Sequence, residues 1–179
     1  MKDFIEKVLV PRKDIKDRTR ELASKITKDY RDEQIILIGV LKGGFIFLAD
    51  LMREIRLPLS VDLITVSSYG SGTESTGVVK LKKDIDINIE NKNVLLVEDI
   101  VDSGNSVKFL KDMLLNRNPK SVKICSLLDK PNRRKVDVKV DYVGFVIPDE
   151  FVIGYGLDYD EKYRELPDIC VLNPSEYNK

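Results

Sequence analysis

Residues 94–106 read VLLVEDIVDSGNS and bring three carboxylates and a small polar turn into one short stretch. An apolar run, Val94 to Val97, meets two adjacent acids, Glu98 and Asp99. Ile100 and Val101 follow, then a third acid, Asp102, and the turn Ser103-Gly104-Asn105-Ser106. Four continuous branched residues suit a strand buried on both faces, as in the middle of a parallel sheet. Such sheets present their ligand-binding groups at the carboxyl ends of the strands, where Glu98 and Asp99 stand. A Ser-Gly turn that opens a helix offers free N–H groups as an anion cradle. Carboxylates beside such a cradle fit a phosphorylated sugar: acids for its hydroxyls and a divalent cation, amides for its phosphate. The stretch matches neither GxxxxGK(S/T) nor GxGxxG, so it is neither a Walker loop nor a dinucleotide fingerprint.

Other groups could join it. Leu41-Lys42-Gly43-Gly44 follows a second apolar run, Lys130 closes LLDKP, and residues 148–164 read PDEFVIGYGLDYDEKYR. Taken singly, each has an ordinary structural reading: a solvated strand end, a helix cap, a glycine turn, a surface lysine, a core phenylalanine. Their order and spacing together favour chemistry.

The elements that must hold these groups are legible in outline. Residues 11–30 have the periodicity of an amphipathic helix, with Ile15, Leu22, Ala23, Ile26 and Tyr30 on one face. Residues 34–40 (QIILIGV) form a second buried strand, and 45–55 the helix after its glycine turn, stopped by Pro58. Residues 61–67 are strand-like, and 68–76 (SYGSGTEST) have loop composition. Residues 78–81 and 84–89 are expected to pair as a hairpin at an edge. A helix over about 105–115 ends at Asn118-Pro119, and further strands fall at 122–128, 142–147, 151–153 and 169–172. Alternating strands and helices predict an α/β protein with a mostly parallel sheet covered on both faces.

Composition narrows the chemistry. The 179 residues suffice for one full core, and 30 basic side chains balance 30 acidic ones. That balance favours neither wholesale nucleic-acid binding nor an acidic membrane. The chain has no histidine, which excludes a Ser-His-Asp triad, a Cys-His pair and imidazole-ligated zinc. Acid-base work falls to carboxylates, lysines, tyrosines or cysteines. Cys125 and Cys170 each sit in an apolar run and are expected as buried, reduced core residues. The N-terminal MKDFIEKVLVP lacks a signal-peptide core, and no segment approaches the ~20 apolar residues of a membrane span, so a cytoplasmic protein is expected.

The stretch 94–106 resembles the signature of the phosphoribosyltransferases, which use 5-phosphoribosyl 1-diphosphate (PRPP). GYGLDYDEKYR and its surroundings resemble the 6-oxopurine branch of that family, the hypoxanthine-guanine phosphoribosyltransferases, and the match runs over about 34–172. The resemblance implies the type I phosphoribosyltransferase fold, a mostly parallel sheet flanked by helices with a small hood formed by the chain ends. It implies a single domain over 1–179. Glu98 and Asp99 would hold the ribose hydroxyls and Mg2+. Ser103, Gly104, Asn105 and Ser106 would hold the 5′-phosphate; the family often has threonine where this chain has Ser103 and Ser106, and serine keeps the hydroxyl. Asp102 would be the general base at purine N7, which loses its proton as N9 attacks the anomeric carbon.

The same resemblance places the amides of Lys42 and Gly43 on the diphosphate, with a non-proline cis peptide at Leu41–Lys42, and Arg164 on pyrophosphate. Ser68 and Tyr69, with the loop to Gly77, would be a lid. Lys130 would donate to purine O6, Phe151 would stack on the base, and Val152 would meet its edge through the backbone. Asp158 would lie at a second magnesium and the base pocket. The implied reaction moves 5-phosphoribosyl from PRPP to hypoxanthine or guanine, giving IMP or GMP and pyrophosphate, in a homodimer or homotetramer that binds neither nucleic acid nor membrane. Two alternatives are a transferase for xanthine or adenine and a PRPP-sensing regulator that binds RNA or DNA. The latter predicts a basic face or an added nucleic-acid module.

Overall fold

The computed structural model describes residues 3–68 and 79–177. Its elements in chain order are β1 (Ile5–Val10), α1 (Arg12–Asp29), β2 (Ile35–Leu41), α2 (Phe45–Glu54), β3 (Leu59–Ser68), β4 (Val79–Lys83), β5 (Asn93–Val101), α3 (Asn105–Leu115), β6 (Ser121–Asp129), β7 (Tyr142–Val146), β8 (Val152–Ile153) and β9 (Ile169–Leu172). A six-stranded sheet runs β4-β3-β2-β5-β6-β7, and every pair in it is parallel except β3 with β4.

The continuous apolar strands pack on both faces, as their composition requires. Leu37 of β2 and Leu95 and Val97 of β5 meet Leu22 and Ile26 of α1 and Phe47 and Leu51 of α2. Their alternating neighbours Ile36, Ile38, Val94 and Leu96 point the other way, against Leu110 and Leu114 of α3. Helix α1 buries Ile15, Thr19, Leu22, Ala23 and Ile26, one face at helical spacing. Each fully buried aliphatic or aromatic side chain contributes about 1.5–3 kcal/mol to folding before conformational entropy is counted.

Chain direction positions the site. From β2 the chain winds through α2 to β3 on one side, and from β5 through α3 to β6 and β7 on the other. The carboxyl ends of β2 and β5 therefore open onto a crevice at the switch point of the sheet. Above it lies the predicted hood, the antiparallel sheet β1-β9-β8 made from both chain ends. Ile153, Leu166, Cys170 and Leu172 form its small core.

One expectation fails. Residues 84–89 form no strand, and the antiparallel partner of β4 is β3. The backbone N–H groups of Asp86 and Ile87 donate to the Asp62 carboxylate at 2.7 and 3.0 Å, and Ile85 N–H donates to Asp84 at 2.8 Å. Aspartates here satisfy the donors that a strand ladder would use. Strand β5 also runs further than the apolar residues 94–97, carrying Glu98 and Asp99 as its sixth and seventh residues of nine. Both cysteines are free and buried. Among the described residues no helix is long and apolar enough to cross a membrane.

Candidate active site

Strand β5 pairs Glu98 with Ser126 of β6 and delivers two acids side by side. Glu98 is only 6 % exposed. Burial, then repulsion from Asp99, raises its proton affinity well above the ordinary carboxylate range. Burial raises that of Asp99 as well, against hydrogen bonds from neighbouring groups and the charge of Arg164. Asp99 accepts the Ile100 N–H at 2.8 Å. Its carboxylate lies directly over the turn after β2: a Cβ on Gly43 would fall 1.5 Å from Asp99 Oδ2. Glycine is required there because the turn after β2 touches the Asp99 side chain of β5. The Leu41–Lys42 peptide in this turn is cis, as the resemblance implied.

Beyond Asp102 the backbone turns through Gly104 at φ +85° into α3. That left-handed conformation suits glycine and aims the first helical N–H groups at the crevice. No side chain caps the helix at Gly104, and only a long 3.4 Å bond runs from Asn105 N–H to Ser103 Oγ. A cavity of about 210 Å³ sits here, lined by Glu98, Asp99, Asp102, Ser103, Gly104 and Ser106 among others. Asn105 is the first residue of α3, at the rim of this turn.

A second cleft, about 450 Å³, opens beside it and shares Asp102. Lys130, Phe151, Val152 and Asp158 all line it, so four expected base-site residues meet there. Lys130 is not the exposed lysine that its sequence suggests in isolation. It is 7 % exposed and donates through Nζ to the Glu150 carbonyl at 2.8 Å. Val152 is buried in β8, and Phe151 stacks on Tyr177 with ring centroids 5.2 Å apart.

Asp158 and Arg164 are mutually engaged. Arg164 Nη1 lies 2.9 Å from Asp158 Oδ1 and donates to the Gly156 carbonyl at 2.7 Å. Arg164 Nη2 and Lys42 Nζ both reach Glu161, at 3.2 and 2.8 Å, so one carboxylate joins the side chains of two residues expected at the diphosphate, Lys42 there through its backbone amide. These pairs hold Glu161 below the usual carboxylate range. Ser68 ends β3; Tyr69 and the rest of the expected lid, to Gly77, lie outside the described residues.

Several lining residues escaped the sequence reading: Ile100, Arg133, Asp149, Glu150, Leu157 and Tyr177. Arg134 also escaped it, donating to the Asp102 and Val101 carbonyls at 2.6 and 3.1 Å and pairing with Asp129. The adjacent arginines after LLDKP, Arg133 and Arg134, were the available signal for two of them.

A buried, mutually repelling carboxylate pair is an environment that a divalent cation relieves. Among the described residues no three His, Cys, Asp or Glu form a metal cage. Glu98 and Asp99 are hard oxygen donors, the ligand type that Mg2+ takes together with water and substrate oxygens.

The fold and this crevice define a phosphoribosyltransferase. Residues 9–160 match the phosphoribosyl transferase domain, and the chain belongs to that family. It is 53 % identical over 169 residues to the hypoxanthine phosphoribosyltransferase of Salmonella typhimurium, covering 93 % of this chain and 94 % of the relative. The hypoxanthine-guanine phosphoribosyltransferase of Bacillus subtilis is 49 % identical over 177 residues, 99 % of this chain and 98 % of that one. Among solved structures, a hypoxanthine phosphoribosyltransferase from Staphylococcus aureus is similar with a TM-score of 0.94 at 47 % identity, covering 99 % of this chain and 96 % of that one.

Proposed function

We infer that this protein is a purine salvage enzyme, a hypoxanthine-guanine phosphoribosyltransferase that moves 5-phosphoribosyl from PRPP to N9 of the base and releases pyrophosphate. The observation that carries the reading is the shared wall of the two cavities. Asp102 lines both the anion cradle at α3 and the cleft of Lys130, Phe151 and Val152, so a sugar phosphate and a flat base held there would meet at one point.

We assign the roles as follows. The amides and hydroxyls of Ser103, Gly104, Asn105 and Ser106 hold the 5′-phosphate, and Glu98 and Asp99 hold the ribose hydroxyls. The backbone amides of Lys42 and Gly43 and the guanidinium of Arg164 receive the diphosphate, which competes with Glu161 for Arg164. Lys130 donates to O6, Phe151 stacks, and Val152 offers backbone to the base edge. As the N9–C1′ bond forms and the C1′–diphosphate bond breaks, Asp102 takes the N7 proton; in the reverse direction it returns that proton. Mg2+, when bound by Glu98 and Asp99 with a second ion at Asp158, supplies charge neutralisation for the diphosphate. Ser68 and Tyr69 belong to the lid that keeps water from the activated sugar. Holding two substrates in line and stabilising the leaving charge supply most of the acceleration. We assign the whole chain to one catalytic domain, working as a cytoplasmic homodimer or homotetramer on PRPP and a purine base to give IMP or GMP.

Purified protein incubated with PRPP, Mg2+ and each of hypoxanthine, guanine, xanthine and adenine tests this. Nucleotide and pyrophosphate should appear with the first two bases in strong excess. Preference for xanthine or adenine moves the protein to a different substrate class, and no turnover with any base refutes the enzyme reading.

A further inference from the structure

Three charged residues of the base cleft have no part in the steps above, Arg133, Asp149 and Glu150, and the first two are linked to Asp102. Arg133 Nε donates to Asp102 Oδ1 at 2.8 Å, and its Nη1 donates to Asp149 Oδ2 at 2.9 Å. The other oxygen of Asp149 lies 3.6 Å from Lys130 Nζ. All four side chains line the same cleft. A continuous ionic chain, Asp102–Arg133–Asp149–Lys130, therefore joins the group assigned to N7 with the group assigned to O6. On a 6-oxopurine these two atoms are neighbours on one edge of the base. A receptor for that edge needs an acceptor for N7–H and a donor for O6 at a fixed separation.

We propose that Arg133, braced by Asp149, is a positioning residue that sets the spacing of Asp102 and Lys130 for the N7/O6 edge of the purine. The proposal rests on the roles given to Asp102 and Lys130 above.

The local sequence holds Arg133 in place. Pro131 opens a short 3-10 turn, Pro131–Arg133, immediately after β6 and Lys130. The Arg133 N–H closes this turn on the Lys130 carbonyl at 3.0 Å, and the Lys130 N–H donates to the Val101 carbonyl at 2.9 Å. Arg134, next in line, clamps the backbone of Asp102. Lys130 Nζ is fixed from the far side by the Glu150 carbonyl, and the Glu150 carboxylate is tied to Lys7 of β1 at 2.6 Å.

A guanidinium is suited to the task because its rigid fork can serve two carboxylates at once, which a lysine ammonium on a flexible stem cannot do in the same plane. Among the described residues only Arg133 bonds the Asp102 carboxylate, at Oδ1, and Asp102 lines the cleft. Arg133 and Asp102 are each 42 % exposed, and ion pairs of that kind contribute little to folding. The variants should therefore fold.

The test measures kcat and KM for hypoxanthine and adenine at saturating PRPP. Arg133→Gln is made both in the wild-type protein and in an Asp102→Asn background, with Arg133→Lys and Asp149→Asn alongside. Arg133→Gln should lower kcat/KM for hypoxanthine roughly tenfold to a hundredfold, the size of an orientation defect. It should also narrow the ratio of hypoxanthine to adenine efficiency, with an unchanged Tm. Asp149→Asn should act in the same direction, and Arg133→Lys should not restore activity. In the Asp102→Asn background the loss from Arg133→Gln should shrink to within about threefold, because residues that act through one another are not additive. Unchanged kinetics, or the same fold-loss in both backgrounds, overturns the proposal while leaving the enzyme reading intact. Absence of turnover in the wild-type protein overturns both.

Discussion

Replacing Glu98 with glutamine should make the protein more stable and less active, and the stability gain should depend on pH. Glu98 sits at 6 % exposure beside Asp99, and burial is the first cause of its raised proton affinity, the neighbouring charge the second. The folded protein thus binds this proton more tightly than the unfolded chain does. Its contribution is favourable below the unfolded value, near pH 4.3 for a free glutamate, and is lost as pH rises through the higher folded value. Each tenfold rise in proton affinity corresponds to about 1.4 kcal/mol of stability forgone at neutral pH. Glutamine keeps the shape, removes the charge and can donate to Asp99. For a chain of this size each kcal/mol recovered raises Tm by about 2–4 °C. Calorimetric melts in metal-free buffer across a pH series read the effect directly. Glu98→Gln should melt higher than wild type near neutral pH, and the difference should vanish near about pH 4. An equal gain at both ends of the series, or none near neutrality, refutes the claim that burial and Asp99 raise the proton affinity of Glu98.

Three further outcomes are expected. Asp102→Asn should lower turnover ~10²–10⁴-fold with folding intact, since an amide cannot accept the N7 proton; near-normal steady-state rates would remove Asp102 from that role. Lys130→Ala should erode discrimination between hypoxanthine and adenine, read as the ratio of the two efficiencies, because the O6 donor is lost. Gly43→Ala should raise KM for PRPP and weaken folding together, because the new Cβ meets Asp99 Oδ2 at 1.5 Å; a variant with wild-type KM and Tm would show that the turn after β2 and the Asp99 side chain separate freely.

The parallel core was legible because β2 and β5 are continuously apolar, and only a strand buried on both faces uses residues such as 35–38 and 94–97 in that way. The acid pair and the turn into α3 were legible because their chemistry is local, packed into one stretch of chain. Residues 84–89 misled because alternation of Asp84, Ile85, Asp86 and Ile87 mimics a half-buried strand, whereas Asp62, distant in sequence, captures their N–H groups. Arg133, Asp149 and Tyr177 escaped for a related reason. Nothing in their own neighbourhoods marks them, and they gain meaning only when the end of β6, the segment 148–158 around β8 and the C-terminal end close around one cleft. The pairing of Glu161 with Lys42 likewise exists only once the hood folds over β2.

The account stands or falls on where an activated pentose binds. A crystal structure with PRPP, Mg2+ and an unreactive purine analogue measures that. It should place the 5′-phosphate on the first N–H groups of α3, the ribose hydroxyls on Glu98 and Asp99, and the base between Asp102 and Lys130. A ligand seated away from the β2–β5 crevice, or a base whose N7 faces neither oxygen of Asp102, would contradict it.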